Sequence, residues 1–239
     1  MNSKQLKRNG VLGILFFLPV MFLLLLYPST HNYQPLDIVK EGVLEFKNFT
    51  NANGESVTLK DQITVVGFLG NNPLNHAISA SNLKELVYDK FKGFKKFQMV
   101  MVLPKGSEAE ALKLEREINN YDNMRFWEFA FAEKASINAF YNSLESLRSL
   151  HNDMATDYVF VIDKDLNQRG RLDDRTDNEK AIDGQVYGLY SYNSIEVAEI
   201  KNKMSEDVRI LFTEYRQKRE GKFDSTTRRA GDLKQSNEQ

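Results

Sequence analysis

The chain has no cysteine among its 239 residues, which excludes disulfides, thiolate catalysis, cysteine-ligated zinc and iron–sulfur clusters together. The same absence rules out lipid attachment through a cysteine and removes cysteine spacing as a guide to redox compartment. Proline is scarce, five residues in all with none after Pro104, and there are only three histidines from which to build a metal site. An excess of charge is also missing. With 32 Lys+Arg against 33 Asp+Glu, nothing draws the chain toward nucleic acid.

The composition is that of a folded protein: 41% hydrophobic, 11% aromatic and 27% charged residues, enough for one domain with extensions. Near the N-terminus, Val11 to Tyr27 form an uncharged apolar run preceded by Lys4, Lys7 and Arg8. Seventeen residues make a helix of roughly 25 Å, at the short end of a bilayer span. A signal peptide shares these features, but Tyr27-Pro28-Ser29-Thr30-His31 offers no small-residue cleavage site, which favours an uncleaved single-pass anchor. The basic flank places the N-terminus in the cytoplasm and the soluble domain on the periplasmic side. Pro19 is expected to kink the helix.

The hydropathy pattern predicts strands alternating with helices. Val43 to Phe49 alternates in character, Asn53-Gly54 reads as a hairpin turn and Ser56 to Leu59 as the returning strand. Ile63 to Leu69 and Phe97 to Leu103 read as strands buried on both faces. Helices are expected over Ala77 to Phe91, Ser107 to Tyr121 and Ala135 to Leu147. Further strands are expected over Arg125 to Phe131, Tyr158 to Ile162 and Gln168 to Leu172. Such an alternation predicts an α/β fold with a mixed sheet flanked by helices.

Three segments make the pattern more specific: Gly54-Glu55-Ser56-Val57-Thr58-Leu59-Lys60-Asp61, Gly67-Phe68, and Tyr158-Val159-Phe160-Val161-Ile162-Asp163-Lys164-Asp165. In order and spacing they resemble the Sco/SenC branch of the thioredoxin-like superfamily, membrane-anchored proteins involved in copper delivery to cytochrome oxidase. The resemblance spans about residues 43 to 172. It implies a Cys-x-x-x-Cys pair in the turn after the first buried strand, with a distal histidine. Here Asn71 and Asn75 fall at the cysteine positions, and neutral amides neither bind Cu(I) as thiolates do nor exchange disulfides. His151 lies several residues early for the family histidine. The cis-proline that many thioredoxin-fold oxidoreductases carry opposite that turn has no counterpart either.

Other candidates are weaker. A His76–His151 pair lacks a third metal ligand. Asp163-x-Asp165-x-Asn167 matches the start of a calcium loop, but Gln168 stands where glycine is needed and a strand precedes it, so a hairpin turn is expected. Asp173, Asp174, Asp177 and Asp183 interleave with Arg171 and Arg175 as a solvated loop would. Met99 and Met101 share a strand face as core residues do. Tyr187, Tyr190 and Tyr192 suit either a contact patch or a packed strand edge. Ser194 to Glu220 is helical with an apolar stripe at Ile195, Ile200, Met204, Val208 and Leu211, which docks either on its own sheet or on a partner.

The sequence therefore predicts six regions: a cytoplasmic N-terminus (1–10), a transmembrane helix (11–27), a linker (28–42), a thioredoxin-like domain (43–172), a loop with a long helix (173–220) and a mobile tail (221–239). No catalytic residue, metal ligand or cofactor is assigned. The expected activity is protein binding, as an accessory or assembly factor for a respiratory or envelope complex with a protein partner there. The interaction surface is placed at Gly70, Asn71, Asn72, Pro73, Asn75 and His76. Two alternatives stay open: a metal-binding or cysteine-independent enzyme using His76 and His151, and a structural subunit oligomerising through the helix at 194–220.

Overall fold

A computed structural model describes residues 3–26, 35–119 and 124–221, with side chains in the first helix described at 5 and 9–22. The chain divides into two units, Met1–Gln34 and Pro35–Gln239. The first contains helix α1, Ser3–Leu26, which includes Pro19.

The membrane expectation is corrected here. Among the described residues no helix is long and apolar enough to cross a membrane, so the transmembrane segment, and the cytoplasmic and periplasmic placement built on it, are not upheld. The apolar part of α1 whose side chains are described runs from Val11 to Phe22.

The second unit is built on strands β1 (Asp37–Lys40), β2 (Ile63–Leu69), β3 (Phe97–Pro104), β4 (Trp127–Ala132), β5 (Ala155–Ile162), β6 (Gln168–Gly170) and β7 (Tyr192–Asn193). Their order is β1-β6-β5-β2-β3-β4, with β7 also paired to β5. β2, β3 and β4 are parallel, whereas β5 runs antiparallel to β2 and pairs Leu69 with Ala155 and Thr64 with Ile162. This mixed sheet, with antiparallel strands on one side of a parallel core, is a thioredoxin-like α/β arrangement.

All seven residues of β2 are buried because both sheet faces are covered. Ile63, Val65 and Leu69 join one core with Met99, Met101 and Val161. Over it lie α2 (Ala77–Leu83), a π turn (Lys84–Tyr88), α3 (Asp89–Phe91) and α4 (Glu108–Ile118). Val66 and Phe68 join a second core with Val100 and Phe160 on the opposite face, under α5 (Lys134–Tyr141) and the segment from Val43 to Leu59. Met99 and Met101 are packing residues at 0% exposure.

The 43–59 segment alternates as expected but does not form a strand pair. Glu45 turns its carboxylate onto the backbone N–H groups of Phe46, Leu59 and Lys60, while Thr50 bridges both Ser56 and Phe131. The apolar residues therefore seal a sheet face from a loop.

Beyond residue 172 come a short α6 (Asp177–Ala181), α7 (Val197–Glu199), a second π turn (Ile200–Met204) and α8 (Ser205–Arg219). Ile200, Met204, Val208 and Leu211 are wholly buried in the first core. This part of the C-terminal stripe is thus spent on its own domain, while Ile195 stays exposed. Expectations for the tail at 222–239 fall outside the described residues.

Candidate functional site

β2 delivers its chain to a tight turn at the top of the sheet. Gly70 has φ +66°, and a Cβ there meets the carbonyl oxygen of Asp153 at 2.7 Å and Cβ of Ala155 at 2.9 Å. Only glycine combines that left-handed backbone with that approach. Next, the N–H of Asn71 donates to the Asp153 carbonyl across 3.0 Å, stitching the turn to the loop His151–Ala155. That loop is itself closed, by His151 N–H to the Ala155 carbonyl and Met154 N–H to the His151 carbonyl, both at 2.9 Å.

A 3-10 turn, Pro73–His76, follows. Proline suits its first position, where the N–H lacks a partner in any case. Pro73 is buried, Asn72 and Asn75 are exposed, and His76 is largely covered, its side chain 14% exposed. His76 Nδ1 lies 3.3 Å from Oδ1 of Asp157 on β5. Behind the pair, the buried Ser194 hydroxyl donates to the Asp157 carbonyl at 2.6 Å, which leaves Ser79 of α2 to donate to Ser194 over 2.6 Å. Asn82 adds a bond to the Ser194 carbonyl.

The surface over this frame is amide and aliphatic. Ile78 on α2, 68% exposed, stands one turn beyond Asn75, and Asn82 of the same helix donates to the Ser194 carbonyl. Sequence reading placed the turn but missed Asp153 and Asp157, which the antiparallel β2–β5 pairing brings in from about 80 residues away, and Ser194, which the β5–β7 pairing adds.

The arrangement does not fit copper. Asn71 and Asn75 offer neutral amides, and His76 and His151 belong to separate segments, one engaged with Asp157 and the other exposed. Among the described residues no three His, Asp or Glu side chains stand together as a ligand set. The metal-using alternative gains nothing from this geometry. Several of the remaining charged candidates are paired. Asp163 accepts the N–H groups of Asp165 and Asn167 in the β5–β6 turn and pairs with Arg169, Asp173 pairs with Arg175, and Asp174 receives Arg171 and Lys203. Three hydrogen bonds from Arg175, two from its guanidinium and one from its backbone N–H, hold the Asp173 carboxyl well below the usual range. Of the three tyrosines, Tyr192 is buried on β7 and Tyr187 is exposed.

No protein-family model matches the chain, and no curated protein matches it. Among solved structures it is similar to BsSco, a member of the Sco family of cytochrome c oxidase assembly proteins. Identity is 15% and the TM-score 0.48, over 74% of this chain and 97% of that one. The soluble domain of Sco1 from Bacillus subtilis gives 15% identity and a TM-score of 0.43, covering 77% and 98%. A thiol:disulfide interchange protein of the thioredoxin family from Chlorobium tepidum TLS gives 12% and 0.43, covering 74% and 97%. In structure the chain is thus similar to Sco-family and other thioredoxin-like proteins, and it lacks the cysteines of their redox chemistry.

Proposed function

We propose that this chain is a non-redox thioredoxin-like binding module that docks a protein partner on the surface formed by Gly70–His76 and its neighbours. The observation that carries the reading is the construction of the turn. Gly70, the Asn71–Asp153 bond and the His76–Asp157 pair hold it rigidly, while Asn72, Asn75 and Ile78 face outward. A fixed surface of neutral amides beside exposed aliphatic groups supplies hydrogen bonds and apolar area without a reacting atom, as a protein contact requires. The finer reading, an accessory or assembly factor for a respiratory or other multi-subunit complex, rests on the sequence resemblance of residues 54–61, 67–68 and 158–165 to the Sco/SenC branch.

Site-specific photo-crosslinking tests the reading. A benzophenone side chain at Asn75 is expected to give one defined protein adduct, lost on Ile78→Asp. The same probe at Arg216, on the helix end near the opposite edge of β5, is expected to give none. Equal labelling from both positions, or an adduct indifferent to Ile78→Asp, overturns the assignment.

A further inference from the structure

A second concave site lies on the other face of the sheet, where α5 ends. It is a cavity of about 320 Å³, within the range that holds a small molecule. Asn138, Asn142, Ser146, Ser149 and Arg148 supply its polar wall, and Leu144 and Leu150 its apolar part. No Asp or Glu lines it.

The loop that shapes the wall is fixed from inside. The Tyr141 hydroxyl donates to the Arg148 carbonyl at 2.7 Å and lies 2.9 Å from the Ser146 hydroxyl, while the Arg148 N–H returns to Ser146 Oγ at 3.2 Å. Gln168 of β6 clamps the preceding residue from both sides, accepting the Glu145 N–H and donating to the Glu145 carbonyl. The backbone of Arg148 is therefore held in place, and its guanidinium rests over the ring of Tyr158, 5.7 Å from the centroid. No carboxylate pairs with that guanidinium among the described residues. A helix C-terminus normally repels anions, but here three carbonyls of the last turn are occupied. Asn142 N–H takes that of Asn138, Ser143 N–H and Oγ that of Phe140, and Leu144 N–H that of Tyr141.

From this donor set we infer that the cavity binds a carboxylate adjacent to an amide, as in an acylated amino acid or the C-terminal residue of a peptide. Arginine presents a fork that matches a carboxylate, and the Ser149 hydroxyl is the further donor of the wall, since the Ser146 hydroxyl is spent on the Arg148 carbonyl at 2.9 Å. Asn138 and Asn142, one helical turn apart, each offer both a donor and an acceptor for the adjoining amide. Leu144 and Leu150 accept a small aliphatic side chain. The site is separate from the turn at Gly70–His76 and does not depend on the docking role proposed for it.

Titration of the full chain with N-acetyl-alanyl-alanine, its C-terminal amide, acetate and a longer peptide ending in the same residues tests the inference, read by calorimetry and by the amide resonances of Asn138 and Asn142. The free acid is expected to bind at least tenfold more tightly than its amide and than acetate. Arg148→Gln is expected to abolish that preference, and Arg148→Lys to retain part of it, with thermal midpoints unchanged because the side chain is exposed. A longer peptide that binds more tightly than the dipeptide identifies a protein C-terminus as the source, and equal affinity identifies a small acyl amino acid. Absence of binding, equal binding of acid and amide, acetate binding as tightly as the dipeptide, or an unaltered Arg148→Gln overturns the inference.

Discussion

The hydroxyl of Tyr192, wholly buried on β7, donates to Oδ2 of Asp207 across 2.7 Å, and the same carboxylate receives the Arg171 guanidinium through Nε and Nη2. Burial pushes the Asp207 carboxyl up against the pull of those donors, and it pushes the Tyr192 phenol well above its ordinary range. The triad ties α8 to the sheet at the height where β7 leaves β5. Tyr192→Phe removes a buried donor and is expected to cost about 1–3 kcal/mol. Asp207→Ala also takes from Arg171 the carboxylate it grips through two nitrogens, leaving it Asp174, and is expected to cost about 2–3 kcal/mol. Urea unfolding midpoints measure both, and a Tyr192→Phe protein as stable as the parent refutes the clamp.

A second buried knot lies further along α8. Arg169 of β6 donates to Asp163 at 2.9 Å, to Glu214 at 2.5 Å and to the Leu36 carbonyl at 2.6 Å, and both carboxylates are at most 5% exposed. The partner carboxylates hold the guanidinium above its ordinary range although burial opposes it. Arg169→Met leaves Asp163 buried without its cation and Glu214 with Lys218 alone, and is expected to cost about 3–5 kcal/mol. Combining it with Asp163→Asn and Glu214→Gln is expected to recover a large part of that loss. A triple variant no better than Arg169→Met alone contradicts this account.

These two knots show where the sequence was readable and where it was not. Strand β2 stood out because Ile63 to Leu69 is apolar throughout and stops at Gly70, and its observed limits are the same. The C-terminal helix stood out by its stripe. The acids inside that stripe were not singled out, although Asp207 lies three residues after Met204, and Glu214 three after Leu211, on the buried face. Their partners were not visible, because Arg171, Tyr192 and Arg169 reach them only once β6 and β7 have paired with β5. The two π turns, Lys84–Tyr88 and Ile200–Met204, leave no mark on the hydropathy pattern. The 43–59 segment misled because alternation reports which face is buried, and a loop can bury it as well as a strand. At the turn, Asn71 and His76 were legible, and Asp153 and Asp157 were not, for the same long-range reason.

Gly70→Ala tests how tightly the turn is specified. A side chain at φ +66° costs about 1–2 kcal/mol. The 2.7 Å approach to the Asp153 carbonyl adds a displacement of the His151–Ala155 loop, typically about 1–3 kcal/mol more. The expected total is about 2–5 kcal/mol by urea unfolding, with loss of protection from hydrogen exchange at the Asn71 N–H. Gly93→Ala is the control, because a Cβ there meets nothing within 4 Å. Equal effects of the two substitutions contradict the role assigned to Gly70.

The last test concerns pH. Glu128 sits half-buried on the edge strand β4, and its carboxyl is raised from 4.5, first by burial and then by the charges of Glu55 and Glu115, with the Asn51 amide opposing. A raised carboxyl binds its proton more tightly in the folded chain than in the unfolded one. Its contribution to stability is therefore most favourable below about pH 4.5 and declines as pH rises through the folded value, after which it is constant. Glu128→Gln removes that decline while keeping the shape and the bond to Asn51. The variant is expected to gain on the parent as pH rises from about 4 to 7, by less than about 1 kcal/mol because solvent screens a half-exposed group. Thermal unfolding of both proteins across that range measures the difference. A gap that stays constant with pH, or one that widens in favour of the parent, shows that Asn51 stabilises the charged carboxylate more than burial opposes it.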